Sequence, residues 1–239
     1  MYGNEKGSQS PDSDSLLYNR QEKVYGAFIA SFQDKGIERL VEIESRLKAL
    51  PVQNQITSYW FAYAKYYEAI YYIKLYEKKQ CQKEIALAIS TLEKVTDKHS
   101  ETYALLAFIQ SFSSQFSGGM AVVSLSEKVR KNAEKAIELD SANLRAWYIL
   151  ASNDYYTPPA FGGGAKCEKY LLKAISLEEQ TIPNPSMPSW GKSNAYHMLI
   201  GYYINKDDYS KAKDYLNTAL SLYPDNYMIN QYVEVLKDE

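Results

Sequence analysis

The 239-residue sequence predicts an all-α chain, and two observations carry that prediction. Between breaks, apolar residues recur at spacings of three and four, not two, so the segments read as helices and none reads as a strand. The breaks are proline and glycine: Pro51, Pro158, Pro159, Pro183, Pro185, Pro188 and Pro224, with Gly36, Gly118, Gly119, Gly162 to Gly164 and Gly191. Eleven helices are predicted, near 14–33, 36–50, 55–77, 79–96, 100–116, 124–140, 143–156, 165–179, 191–205, 208–222 and 226–237. Taken in pairs they make five hairpins and one closing helix. Glu234, Lys237, Asp238 and Glu239 suit the closing helix to a face turned to water.

The first hairpin, Ser15 to Leu50, rests on helical periodicity alone. The second has Trp60, Tyr63, Ala64 and Tyr67 on its first helix and Ile85 to Val95 on its second. The third carries Tyr103, Leu106 and Ala107, then Ala136, Ile137 and Leu139, with a long turn around Gly118-Gly119. The fourth carries Trp147, Leu150 and Ala151, then Cys167, Leu171, Ala174, Ile175 and Leu177, with a long turn at Thr157 to Gly162. The fifth, Ser193 to Asn226, reads Tyr196, Leu199, Ile200, Tyr203, Ala212, Leu216, Ala219, Pro224. Ala151, Ala174, Ala212 and Ala219 mark close helix crossings, where a larger side chain would overpack at about 1–3 kcal/mol. Pro224 ends its unit because its ring cannot continue the helix.

The fifth hairpin resembles a tetratricopeptide repeat. That pattern is an aromatic, Leu and a small residue, Tyr, a later small residue, an apolar residue and Pro. The small residue after Leu199 is missing, and Gly201 follows one place late. The likeness extends to 143–179 and 100–140 and fades before 98. It implies a right-handed α-solenoid of about five hairpins plus a C-terminal capping helix, one repeat domain over 15–239. It further implies a scaffold that binds and does not catalyse. First helices line the concave face of such solenoids, which would place Phe61, Lys65, Phe108, Phe112, Arg145, Tyr148, Ser152, Tyr155, Tyr156, Asn194 and His197 there. Aromatics dominate this set, so the implied groove is aromatic rather than a carboxylate clamp. The expected ligand-binding residues are Arg145, Tyr148, Tyr155, Tyr156, Phe161, Trp190 and His197, and the expected ligand is a peptide or protein partner.

Two loops suggest an alternative. Thr157 to Gly164 and the proline-rich Ile182 to Gly191 together resemble loops of bacterial periplasmic tetratricopeptide proteins, including the component associated with TRAP-type solute transporters. That resemblance implies an extracytoplasmic helper that binds a small solute or glycan. The plainer reading is two structured loops, with Trp190 packed under a proline.

The remaining features exclude more than they suggest. A formal net charge of −2 with interleaved signs lacks the concentrated basic face of a nucleic-acid binder. No apolar run approaches the roughly 20 residues that span a bilayer. Residues 1–14, rich in Gly, Ser, Asp and Asn, read as a flexible leader without the apolar core of a signal peptide. Localisation is therefore open: cytoplasmic, or periplasmic if a signal segment was removed before Met1. Cys81 and Cys167 read as two free, buried thiols. Phe161-Gly-Gly-Gly-Ala-Lys166 lacks both the spacing and the preceding strand of a phosphate loop, and reads as a turn. His99 and His197 belong to no metal-ligand spacing, and Asp207-Asp208 and Glu178-Glu179 read as helix-end chemistry. No catalytic residue, metal or cofactor is expected. Tyr outnumbers Leu, 23 to 22, which fits aromatic packing positions whose hydroxyls reach the surface.

Overall fold

The computed structural model describes residues 17–50, 54–179 and 184–237. Among them all regular structure is helical. Eleven α-helices run α1 (Arg20–Asp34), α2 (Glu38–Lys48), α3 (Gln55–Lys74), α4 (Lys78–Glu93), α5 (Ser100–Ser113), α6 (Met120–Leu139), α7 (Leu144–Tyr156), α8 (Cys167–Ser176), α9 (Lys192–Ile204), α10 (Tyr209–Leu222) and α11 (Tyr227–Val235). Two 3-10 turns, Ser114–Phe116 and Pro159–Phe161, sit in the long turns flagged by glycine and proline. All eleven expected helices are present, with shifted ends: α6 begins at Met120 rather than near 124, and α8 is shorter at both ends. The expected leader, Pro51, Pro183 and the terminal Asp238 and Glu239 lie outside the described residues.

Local chemistry sets the helix starts. Asn54 opens α3 with a capping box: its side chain accepts from the amides of Ile56 and Thr57, while Thr57 Oγ1 accepts from the Asn54 amide at 3.0 Å. Asn143, Asp208 and Asn226 cap α7, α10 and α11 through their side chains. Three hairpins turn through a left-handed residue that is not glycine: Lys35 (φ 56°), Tyr76 (φ 63°) and Asp207 (φ 59°).

The chain forms two compact units. Unit 1 comprises Met1–Asp97 with Ile182–Pro188, and unit 2 comprises Lys98–Thr181 with Ser189–Glu239. In unit 1, α1 packs on α2 and α3, α2 on α3, and α3 on α4. In unit 2, α5 packs on α6 and α7, α6 on α7, α7 on α8 and α9, α8 on α9, α9 on α10 and α11, and α10 on α11. The core of unit 1 gathers Val24, Leu40, Leu47, Trp60, Ala64 and Leu92, all fully buried. In unit 2, Ala151, Ala174, Ala212 and Ala219 are fully buried at the helix crossings, as their size predicts, beside Leu171 and Leu199. Cys81 and Cys167 are free and buried.

The proline-rich segment has a defined place. The Asn19 amide donates to the Pro185 carbonyl at 2.9 Å, and the Trp60 indole N–H donates to the Ser186 carbonyl at 2.9 Å, both within unit 1. A stretch lying between α8 and α9 in sequence thus packs on α3 of unit 1.

Candidate functional site

In unit 2, α7 carries Tyr148, Tyr155 and Tyr156 at spacings of seven and one, so the three rings share one side of the helix. Tyr155 and Tyr156 meet edge to face at 5.0 Å, and Tyr155 lies 6.3 Å from Tyr202 of α9. Asn205 Nδ2 donates to the Tyr155 hydroxyl at 2.6 Å. The Tyr148 hydroxyl is pushed up to about 12, by burial first and then by the neighbouring Tyr156. Burial also raises Tyr232 of α11, with Tyr156 and Tyr155 adding to the shift. Tyr232 in turn packs on His197 of α9 at 5.1 Å. The Tyr232 hydroxyl and Gln231 Nε2 lie 3.3 and 3.2 Å from His197 Nε2. Burial lowers the His197 pKa, so the ring is neutral near pH 7. Gly201 leaves room for the Tyr232 hydroxyl: a Cβ there would stand 2.8 Å from it.

Four expected site residues, Tyr148, Tyr155, Tyr156 and His197, are thereby linked on α7 and α9, with Tyr232 as the joining ring. Tyr156 is 75% exposed and presents the cluster to solvent. Tyr232, Gln231 and Asn205 join this cluster without belonging to the expected set. The signal for Tyr232 was present, since it falls on the first helix after Pro224, but the closing helix read as a cap.

Arg145 and Trp190 form a different group. Arg145 is buried, with Nε 2.6 Å from Glu101 Oε2 and Nη1 donating to the Trp190 carbonyl at 2.8 Å. The guanidinium lies 5.9 Å from the Trp190 ring, which packs on Phe108 at 4.8 Å. Gly191 follows at φ +116°, and a Cβ there would come within 2.8 Å of Arg145 Cγ. Both side chains are therefore committed to the packing of α5, α7 and the start of α9. Phe161 lies on the turn Pro159–Phe161 and is 60% exposed. In the glycine-rich turn after it, Asp154 Oδ2 accepts from the Lys166 amide at 2.8 Å, and the Asp154 carbonyl accepts from Gly164. A carboxylate of the chain itself thus takes the backbone amide just before α8.

Unit 1 corrects one expectation. The resemblance implies Phe61 and Lys65 on the concave groove, and both are buried. Lys65 Nζ lies 2.8 Å from Glu44 of α2, 2.7 Å from Glu68 of α3 and 3.0 Å from Glu84 of α4. Gln80 Nε2 donates to the second oxygen of Glu84 at 2.8 Å. Oε1 of Glu44 and Oε1 of Glu68 are buried without a hydrogen-bond partner, although the two side chains face each other. Burial drives the Glu68 carboxyl up to about 9, reinforced by Glu44 and opposed by Lys65. For Lys65, burial acts downward, and the bonds to Glu44 and Glu68 outweigh it, so its pKa is raised. The sequence carried a trace of this cluster. Glu44 lies between Leu40 and Leu47 on the apolar stripe of α2, and Glu84 lies between Cys81 and Ala88 on that of α4.

Unit 1 also presents an aromatic surface on α1 and α3. Tyr25 meets Tyr67 at 5.9 Å, Phe28 meets Tyr67 at 4.8 Å, and Phe32 meets Tyr71 at 5.3 Å. Tyr25 and Phe32 remain exposed.

No known family model matches the chain, and no curated protein matches it. Among the described residues, no group of three or more His, Cys, Asp or Glu is arranged to hold a metal ion, and no helix is long and apolar enough to cross a membrane.

Proposed function

We propose that the protein is a non-enzymatic scaffold of tetratricopeptide type that binds an extended peptide or partner protein across the aromatic face of α7, α9 and α11. The observation that carries this reading is the linked set Tyr148, Tyr155, Tyr156, Tyr232 and His197, with Tyr156 open to solvent. Tyrosines supply contact area at low entropic cost and a hydroxyl for orientation. The packing order supports a repeat reading. In each unit every helix packs on its near neighbours in sequence, and first helices pack on first helices, as in a stack of hairpins. By this reading unit 1 holds two hairpins and unit 2 holds three, closed by α11.

The experiment is selection of peptides from a displayed random library on the full chain, followed by affinity measurement on Tyr156→Ala. Tyr156 is exposed, so its removal tests binding with little effect on folding. The reading expects selected peptides rich in apolar or aromatic residues, weakened roughly tenfold or more by Tyr156→Ala. Peptides that bind wild type and variant equally, or no selected peptide at all, would contradict it.

A further inference from the structure

Three carboxyl groups surround one ammonium in the interior of unit 1. Full ionisation would leave two negative charges in excess around Lys65, in side chains at most 9% exposed. Burying unbalanced charge is costly, and such groups take up a proton instead. The hydrogen-bond pattern says where. Each glutamate directs one oxygen at Lys65 Nζ, and the other oxygen of Glu84 is met by Gln80. Oε1 of Glu44 and Oε1 of Glu68 are left over, both buried, on side chains that face each other. Two acceptors side by side repel; one proton between them turns the pair into a donor and an acceptor and satisfies both.

We propose that Glu44 and Glu68 hold one proton between them in the folded protein, carried by Glu68, and that its loss is an alkaline trigger that loosens unit 1. The surroundings favour this assignment. From α3, Lys65 and the half-buried Tyr72 face the pair, and the Tyr72 hydroxyl is raised by burial first and then by Glu68, Glu84 and Glu77. From α4 come Glu84 and Gln80, and from α2 Glu44 itself, with Lys48 one turn on, its Nζ 4.7 Å from the Phe61 ring that Lys65 also faces. From α1, the rings of Tyr25, Phe28 and Phe32 meet rings of α3, and Arg20 is buried in the same unit, its pKa lowered to about 10 by burial and then by Arg46 of α2. The described residues of the proline-rich segment, 184–188, carry no ionisable side chain. Lys65 is the cation bridged to all three carboxyls, and it is shared three ways.

The sign follows from linkage. Glu68 binds its proton up to about pH 9 in the fold, against an ordinary 4.5 in the unfolded chain. Between these values the folded state holds the extra proton, so raising the pH weakens it. The test is thermal unfolding of the full chain from pH 5 to pH 9.5, for wild type, Glu68→Gln and Glu44→Gln. An amide at either position donates to the remaining carboxylate and needs no proton. The proposal expects wild type to lose stability relative to both variants as pH rises through this window. Parallel curves for wild type and a folded variant would overturn it. Should neither variant fold, calorimetric unfolding of wild type at pH 8, in buffers of different ionisation enthalpy, decides. Net release of about one proton on unfolding supports the proposal, and no release overturns it.

Discussion

Lys65 of α3 and Arg145 of α7 each stand on the first helix of a hairpin, each is buried, and each holds its unit together in a different way. Arg145 meets the carboxylate of Glu101 and the carbonyl of Trp190, so its charge has a partner and its donors are aimed at fixed acceptors. Lys65 meets three carboxyl groups from three helices, so the cluster is oversupplied with acid. The guanidinium fork, rigid and planar, suits one carboxylate in two-point contact; the ammonium, a compact point charge, can be shared. A balanced pair has no surplus charge to neutralise. An unbalanced cluster becomes a proton-binding element. The same burial thus gives two units with different responses to their surroundings.

The largest effect expected from breaking this comparison is at Lys65. Lys65→Met leaves three carboxyl groups buried without their central ammonium, beyond the roughly 3–5 kcal/mol that breaking one buried pair costs. Unit 1 should not fold, seen as loss of helical signal by circular dichroism and of the α1 to α4 resonances by NMR. Arg145→Met should cost about 3 kcal/mol, the low end of the same range, because the Glu101 side chain is 13% exposed and can rehydrate. An Arg145→Met variant less stable than Lys65→Met would reverse the ranking.

Trp147→Ala is expected to cost near 3 kcal/mol, since the ring packs 5.8 Å from Tyr170 and its indole N–H donates to the Ser141 carbonyl at 3.0 Å. The ring is half-buried, which places it at the low end for tryptophan. A melting temperature unmoved by the substitution would show that this contact is idle.

Titration sharpens the contrast between the units. His197 of unit 2 has its pKa lowered by burial from 6.5, so it must lose hydration to become charged in the fold. Its contribution is present above pH 6.5 and is lost as pH falls. Unit 1 carries the opposite sign through Glu68, weakening as pH rises from 4.5 towards 9. NMR-monitored melting at pH 5, 7 and 9 should therefore find the stability difference between the units shifting towards unit 2 as pH rises, through His197 between pH 5 and 7 and through Glu68 between pH 5 and 9. A difference between the units that stays constant across the three values would contradict the opposed signs. The smallest effect belongs to Tyr156→Ala. Its ring is 75% exposed, so stability should change by less than about 0.5 kcal/mol while peptide affinity falls.

Helix existence was legible in the sequence because apolar spacing and Pro or Gly breaks are local signals, and all eleven helices follow from them. The small-residue crossings at Ala151, Ala174, Ala212 and Ala219 were legible for the same reason. The shared side of α7 for Tyr148, Tyr155 and Tyr156 is legible from their spacing, whereas Tyr232, which brings His197 to them, sits on a helix whose charged end reads as a polar cap. What the sequence concealed was long-range chemistry. Arg145 finds Glu101 some 44 residues away and a backbone carbonyl at Trp190, and neither partner has a pattern. Lys65 looked like an exposed groove cation because Glu44 and Glu84, which bury it, come from different helices. Position 184–188 read as a long connection, and nothing local marks that Trp60 binds its backbone.

The central claim is that the surplus acid around Lys65 is neutralised by one proton on Glu68. Carbon-13 NMR of the side-chain carboxyls, in full-length protein labelled at glutamate, reads that proton without perturbing the fold. The account predicts one glutamate carboxyl with a protonated chemical shift at pH 7, absent in Glu68→Gln and titrating in wild type near pH 9. A spectrum at pH 7 in which every glutamate is ionised would contradict it.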